Sequence, residues 1–442
     1  MKNVIGGGLA GLTAAIELAR NGHQVRLHEQ HQQLGGRAAT QTHDGALLNL
    51  GPHALSLDGA ARQTLTEWGI APHGGVPNLG DPESKAAMVF GGVPHPFVGG
   101  AAALARCKFL SIRQRFDAGR AMTKALNGSL PEPNMTTTEW LNRNVATEPA
   151  RMLMAALLRV GSYSNEPERQ SARAALRQAR LGAKGVLYVD GGWKSIIASL
   201  ENLARTEGVE IQESAPVRAN DFRDMLDRRE PVILAMPPEQ ASTLAAEVSS
   251  RPFPAVAPVR AACLDLVLDQ FPEGAYSFGL GIDQPLYLSV HSRWAKFAAA
   301  DAAPGPTVVH VAKYLGAGRV DARAVRKELE DFSDLLLPGW RDCLRYARFL
   351  PQMHVMHMPV TAGAEVEVDS LGIDGVRIAG DWVGSGALLA DAAVASGLGA
   401  ARSLAAQNSS KVSNASSAGF PNPANGTRMR RSAPPSLVVH DG

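Results

Sequence analysis

Cysteine is scarce in this chain: Cys107, Cys263 and Cys343 are the three it has in 442 residues, they lie far apart, and no CxxC pair occurs. That excludes a disulfide framework, gives no zinc pattern, and makes a reducing cytoplasm the expected setting. Long apolar runs are missing too. Arg106, Asp391 and Arg402 break up the most alanine-rich stretches, so no segment approaches the ~20 apolar residues of a membrane-spanning helix. No leader with a charged start and an apolar middle precedes the first strand, which begins at about Lys2, so no cleaved signal is expected. Charge of one sign is also lacking. The formal net charge is +2, but Lys411, Arg428, Arg430 and Arg431 against Asp441 give residues 405–442 a net of +3, which leaves residues 1–404 at −1. No basic face speaks for a nucleic-acid partner. No GxSxG elbow, HExxH or P-loop occurs. Aromatic residues are 5% of the chain and offer no hint of a cage for a cationic amine.

What is present points to a large α/β protein. The hydrophobic fraction is 45%, the charged fraction 19%, and there are 44 glycines. The length exceeds the ~250–300 residues at which a single core stops growing, so two domains are expected. Three of the glycines open the chain's most informative stretch, MKNVIGGGLAGLTAAIELARNGHQVRLHEQ. Gly6, Gly8 and Gly11 have GxGxxG spacing between a short apolar strand and a helix in which Leu9, Leu12, Ala15, Ile16 and Ala19 recur at helical intervals. Gly6 permits the tight turn, Gly8 lets backbone approach a pyrophosphate, and Gly11 lets helix and strand pack closely. Asn21-Gly22 stops the helix, and QVRLHEQ makes a second strand ending at Glu29, an acid placed to accept from an adenosine ribose, with Gln30 beside it. The cluster therefore reads as a dinucleotide site, with Leu9 and Ala10 in the helix turn facing the phosphates. Downstream, LGGRAAT places Gly36 and Arg37 where a guanidinium fork reaches the same pyrophosphate.

In this order, GxGxxG, strand-terminal Glu and GGR, the chain resembles the superfamily of flavin-dependent amine oxidases, phytoene desaturases and protoporphyrinogen oxidase. NLGPHAL, residues 49–55, looks like its next flavin-contacting loop, with Gly51, Pro52 and His53 matching. YVDGGWKSIIASLENLA is similar to the superfamily's glycine-pair segment, opening a helix that buries Trp193, Ile196, Ile197, Leu200 and Ala204 on one stripe. Val217 falls where relatives lay backbone against adenine, and PVILAMPPEQA resembles a strand returning toward the flavin. Taken singly, these middle segments read equally well as an amphipathic helix and two buried strands. GVRIAGDWVGSGALLADAAVASGLGAARSL, residues 375–404, closes the pattern and looks most like the phytoene desaturase members. There Gly380 and Asp381 end a strand, Asp381 serving ribityl hydroxyls or the pyrophosphate, and a helix start spanning Leu388, Leu389 and Ala392 faces the flavin ring.

The resemblance implies FAD as cofactor and an α/β fold: a Rossmann-like, doubly wound FAD-binding domain from residues 1–78, 185–245 and 350–405, interleaved with an α+β substrate domain from 79–184 and 246–349. After Ala406 the Ser/Asn/Pro-rich composition predicts a disordered tail over 407–442, whose RMRR reads either as solvated or as touching anionic lipid or nucleic acid. In the substrate domain, His291 and Lys313, and His53 by the flavin, are the candidates for a base or a water-holding group. Lys313 is the one to test, although a surface lysine on a strand edge is the commoner case. His354 and His357 are three apart, but no Cys or His cluster supports them, so no metal is expected. GLG at 279–281 and GAG at 316–318 lack the following helix, so no second nucleotide is indicated, and oxygen, a quinone or another carrier is expected to reoxidise the flavin. The implied substrate is a small, apolar molecule, a polyisoprenoid being one fit, for which the protein would rest on a membrane surface. A redox-neutral isomerase and a flavin-less binding protein like the GDP-dissociation inhibitors are the alternatives on this scaffold. The oligomeric state is not encoded visibly.

Overall fold

The N-terminal strand belongs to a five-stranded parallel sheet. Its strands lie in the order Glu210–Gln212, Val25–His28, Lys2–Ile5, Val232–Leu234, Val376–Ile378, and every neighbouring pair is parallel. Numbered along the chain, that order is 3-2-1-4-5, the doubly wound arrangement, with its switch point between Lys2–Ile5 and Val232–Leu234. Strands this short and apolar survive because both faces are covered. Val4 and Ile233 pack under helices Leu9–Arg20 and Lys194–Thr206 and the first turns of Leu389–Ser416. Ile5, Val232, Leu234, Val376 and Ile378 face the opposite cluster, with Phe222, Met225 and Leu244.

The computed structural model describes residues 1–299, 305–384 and 386–416. Its second sheet has seven strands, in the order Leu344–Pro359, Val256–Leu268, Thr307–Leu315, Leu286–Val290, Phe278–Gly281, Ala86–Phe90, Val93–Pro96, antiparallel except where Phe278–Gly281 meets Ala86–Phe90. Alternation along Val256–Leu268 sorts the side chains. Ala262, Leu264, Leu266 and Leu268 pack on helix Ala322–Leu336. Cys263 faces the other way, toward helices Ile112–Asn127, Glu148–Ser162 and Ala172–Ala183. The long strand Leu344–Pro359 belongs to this sheet throughout, so a boundary at 350 cuts a strand. Residues 1–405 pack as one unit.

One sequence expectation fails at the C-terminus. Helix Leu389–Ser416 runs ten residues into the segment expected to lack structure from 407. No glycine or proline occurs between Gly399 and Gly419, so nothing in the covalent geometry stops the helix there. The rest of the expected tail, 417–442, lies outside the described residues.

Candidate functional site: a cavity at the switch point of the parallel sheet

A cavity of about 2270 Å³ opens at the C-terminal ends of the parallel strands and extends under the seven-stranded sheet. That exceeds the ~300–1,000 Å³ of an ordinary small-ligand pocket and leaves room for a dinucleotide and a second molecule. Its candidate nucleotide half is built at strand ends. Gly6 follows Ile5 with φ +109°, a conformation L side chains rarely adopt, and a Cβ there would lie 2.3 Å from the Ala235 carbonyl oxygen. Gly8 starts helix Leu9–Arg20 without a capping side chain, and no acid sits in the first turn, so the leading N–H groups and the positive dipole end are left for an anion. Gly6, Gly8, Leu9 and Ala10 line the cavity, whereas Gly11 lies behind it, sealing helix against strand.

Glu29 stands at the next strand end, lining the same space. Its Oε2 accepts from the Gly7 N–H at 2.8 Å and its Oε1 from the His31 N–H at 2.9 Å. Each oxygen keeps a lone pair for a ribose hydroxyl. Gln30, Val217 and Arg218 line the wall beside it. Gly36 and Arg37 also line the cavity, and the Arg37 fork closes on a carboxylate. Its two terminal nitrogens meet the Asp381 carboxylate at 2.7 and 2.8 Å, and one also donates to the Val355 carbonyl at 3.0 Å. Burial opposes the Arg37 charge, and the Asp381 carboxylate more than offsets that, raising the guanidinium pKa. The pair joins two segments 344 positions apart in one bidentate contact. Gly380 and Asp381 line the cavity where Val376–Ile378 ends.

At the start of helix Leu389–Ser416 the lining residues are Leu389, Ala390 and Ala393. Leu388 and Ala392, both expected at the ring, are buried outside the lining; Leu388 packs on Ala174, Val259, Met356 and Met358. Leu389 itself has φ +58°, a strained value for a branched residue, held where the chain turns into the cavity wall.

The other half of the cavity is apolar. Leu79, Phe97, Val98, Met122, Met154, Leu157, Leu158, Phe278 and Met353 line it, joined by Tyr163, Tyr188 and Tyr287. Burial pushes the pKa values of all three tyrosines up, so they stay neutral. Tyr163 ends helix Glu148–Ser162 at φ +58° and donates to the Pro52 carbonyl at 3.0 Å. The acids lining the whole cavity are Glu29, Asp81 and Asp381; the first and last are in the nucleotide half and Asp81 is exposed at the edge. Pro52 lines the cavity, with Gly51 behind it against Met353. Sequence reasoning missed Tyr163, Tyr188 and Met353, although Tyr188 lies in a segment it had singled out, YVDGGWKSIIASLENLA.

Two of the three candidate bases lie away from the cavity. Lys313 shares strand parity with Val309, Val311 and Leu315, on the face covered by helix Ala322–Leu336, where its ammonium pairs with Glu328; it does not line the cavity. His291 is fully buried one layer behind the wall, stacked on Tyr188 at 3.8 Å and edge-on to His310 at 4.5 Å. His53 does line the cavity, but its Nδ1 lies 3.0 Å from the Gly51 carbonyl and its Nε2 3.1 Å from the Arg37 carbonyl, so neither nitrogen is offered to a substrate.

Among the described residues, Cys263, Asp265 and His310 form a group of three ligating side chains close together. Arg348 already donates to the same Asp265 carboxylate, with its Nε at 2.9 Å, and supplies there the positive charge a metal would bring. His354 and His357 face each other edge-on at 5.7 Å on strand Leu344–Pro359.

The buried imidazoles set a pH dependence. Burial lowers the pKa of His291 well below 6.5 and also lowers those of His53, His28 and His357. The unfolded chain takes up protons at these groups as pH falls through 6.5, and the folded chain does not. Stability is therefore full above that value and declines below it, each group contributing at most about 1.4 kcal/mol per pH unit. Urea midpoints should drop between about pH 7 and about pH 5, and His291→Phe should flatten the slope. A midpoint that stays constant over that range in the unmodified chain would contradict the assignment.

Comparison with known proteins agrees with this geometry. Residues 4–68 match the NAD(P)-binding Rossmann-like domain family. Over 54 residues the chain is 44% identical to 4,4'-diaponeurosporene oxygenase of Staphylococcus aureus, a stretch covering 12% of this chain and 11% of that protein. Among solved structures, an oxidoreductase from Methanosarcina mazei has a TM-score of 0.67 at 17% identity, covering 92% of this chain and 100% of its own. Putrescine oxidase bound to putrescine has 0.63 at 15% identity over 91% and 98%. Cyclohexylamine oxidase from Brevibacterium oxydans IH-35A has 0.59 at 14% over 92% and 99%. The chain thus shares its fold, over most of its length, with these oxidoreductases, and its first 68 residues include a match to the Rossmann-like family.

Proposed function

We propose that this protein is an FAD-dependent oxidoreductase that takes a hydride from an uncharged, apolar substrate, desaturating or oxidising it. The observation that carries the substrate class is the substrate half of the cavity: aliphatic and aromatic side chains, neutral tyrosines, and no carboxylate among its lining residues apart from Asp81 at the exposed edge. A cationic amine bound there would have no counter-charge, and burying an unpaired ammonium costs far more than burying hydrocarbon. The 54-residue likeness to a diaponeurosporene oxygenase points the same way.

The residues present fit FAD. The uncapped helix start after Gly8 receives the pyrophosphate, and Glu29 holds the adenosine ribose. Asp381, oriented by Arg37, meets the ribityl chain or the pyrophosphate. When bound, FAD supplies the hydride acceptor. The protein's contribution is to hold the reacting C–H bond in a dry space, walled by Tyr163, Tyr188, Met353 and Leu389, and to set the ring's environment with the helix start at Leu389. A desaturation also releases a proton from the neighbouring carbon, which passes to solvent at the cavity's open edge, where the lining residues Lys85, Arg106 and Lys108 are exposed.

The test is an absorbance spectrum of the purified protein, repeated without oxygen after adding apolar polyene or carbocyclic donors, with diamines as comparison. Bleaching of flavin bands by an apolar donor and not by diamines is the expected result. Bleaching by diamines alone would overturn the substrate class, and a colourless protein that takes up no added FAD would overturn the whole reading. A flavoprotein that converts an apolar compound with no net bleaching would instead be the redox-neutral enzyme.

A further inference from the structure

The two most exposed large apolar side chains among the described residues sit one helical turn apart. Ile112 is 71% exposed and Phe116 77% exposed, both on the outer side of helix Ile112–Asn127. Scattered surface hydrophobics need no explanation, but an i, i+4 pair forms one contiguous apolar knob. Its surroundings are cationic. Arg106 and Lys108 precede the helix, and Arg113, Arg120 and Lys124 follow along it, all of them exposed. Asp117 is the acid within residues 101–127, and it is buried, accepting from the Thr147 N–H at 2.7 Å and hydroxyl at 2.8 Å, with Arg120 at 3.4 Å. Among the described residues, Arg106, Lys108, Arg113 and Lys124 are paired with no carboxylate.

This segment is also part of the cavity wall. Arg106, Cys107 and Lys108 line the cavity from the turn before the helix, and Met122, Ala125 and Leu126 from the helix's inner side. Lys85 and Ala86, also lining, are tied to Phe97 through its N–H on the Ala86 carbonyl at 3.2 Å. The exposed lining residues Asn78, Gly80, Lys85, Ala101, Ala102 and Arg106 thus put the cavity's solvent-facing edge beside the apolar knob.

We propose that this face docks on an anionic phospholipid bilayer, with Ile112 and Phe116 inserted at the boundary between headgroups and acyl chains and the unpaired cations lying over lipid phosphates. Large apolar side chains amid unpaired Lys and Arg on one helix face suit that interface, and the positive charge selects anionic lipid. The cavity edge then faces the phase in which an apolar substrate dissolves. That last consequence rests on the function proposed above; the docking itself rests on exposure and charge alone.

The experiment is co-sedimentation of the full chain with vesicles of phosphatidylglycerol or of phosphatidylcholine, at low and high salt. Enrichment on phosphatidylglycerol vesicles, weakened by salt, is expected. The pair Ile112→Ser with Phe116→Ser should reduce it by roughly tenfold or more, and Arg113→Glu with Lys124→Glu likewise. Melting temperature and flavin content of the variants should match the parent, since every altered side chain is exposed. Equal binding to both lipids, no binding to either, or unchanged binding by the Ser pair would overturn the proposal. So would binding lost on removing residues 417–442 and not with the Ser pair, or an acidic protein competing for this face of a chain that ignores vesicles. Failure to bleach with apolar donors would sink the proposed function and leave the docking result standing.

Discussion

Gly11→Ala is expected to strip the protein of the FAD proposed above and to lower its melting temperature. The position is helical and would accept alanine on propensity alone, so the loss is a packing effect. A Cβ at Gly11 would lie 1.9 Å from the Gly6 carbonyl oxygen and 3.2 Å from the Ala235 Cβ, and the first of these is backbone that cannot swing aside. Overpacking of this kind costs about 1–3 kcal/mol or more. If the glycine loop absorbs the clash, the same energy appears as a roughly ten- to hundredfold loss of cofactor affinity, because that loop places the helix start against the phosphates. Flavin retained through dialysis, measured beside thermal unfolding, separates the two routes. Gly22→Ala makes the comparison: its φ of +78° strains any side chain but no atom lies within 4 Å of the added Cβ and it is far from the cavity, so it should cost stability and leave cofactor retention intact. Retention and stability both unchanged in Gly11→Ala would show that helix and strand do not meet as closely as described.

This contrast explains which parts of the protein were legible in its sequence. Gly6, Gly8, Gly11 and Glu29 could be read because the strand, turn, helix and second strand that give them meaning are contiguous, and the doubly wound sheet follows from them. Asp381 could be read from the strand and small-residue helix on either side. Lys313 was misread because strand alternation says that neighbours point to opposite faces without saying which face looks into the cavity. It shares its side with Val309, Val311 and Leu315, under a helix, while His310, Ala312 and Tyr314 take the other. The Arg37–Asp381 contact was not legible, since a guanidinium fork fits a carboxylate as well as a phosphate and Asp381 is distant in sequence. The continuation of the last helix to Ser416 was hidden by composition: serine and asparagine are weak helix formers, but weakness is not a stop.

Asp265→Ala should be among the most damaging single changes in the chain, although Asp265 does not line the cavity. It sits on the interior strand Val256–Leu268, opposite His310 on one neighbour and Arg348 on the other, and is fully buried. Burial alone would raise its pKa, yet the His310 and Arg348 interactions hold it below the usual 3.8. A depressed folded value means that the stabilisation is present above pH 3.8 and is lost as pH falls through the folded value. Removing the carboxylate leaves the Arg348 guanidinium, about 10% exposed, without its counter-charge, which costs about 3–5 kcal/mol for a broken buried pair. Arg348 also donates to the Gln41 side chain at 2.7 Å and to the Asn49 carbonyl, so it ties the sheet to the hairpin Thr40–His43/Ala46–Asn49 that leads into the Pro52–His53 wall. The damage should therefore reach the cofactor as weaker flavin retention. Pairing Asp265→Leu with Arg348→Met should recover most of the stability, because two matched hydrocarbons replace an ion pair at little cost. It should not recover the flavin, since the bonds to Gln41 and Asn49 stay broken. A double variant as unstable as the single one would place the loss in His310, whose Nδ1 lies 2.5 Å from the same carboxylate and would then be the partner that matters.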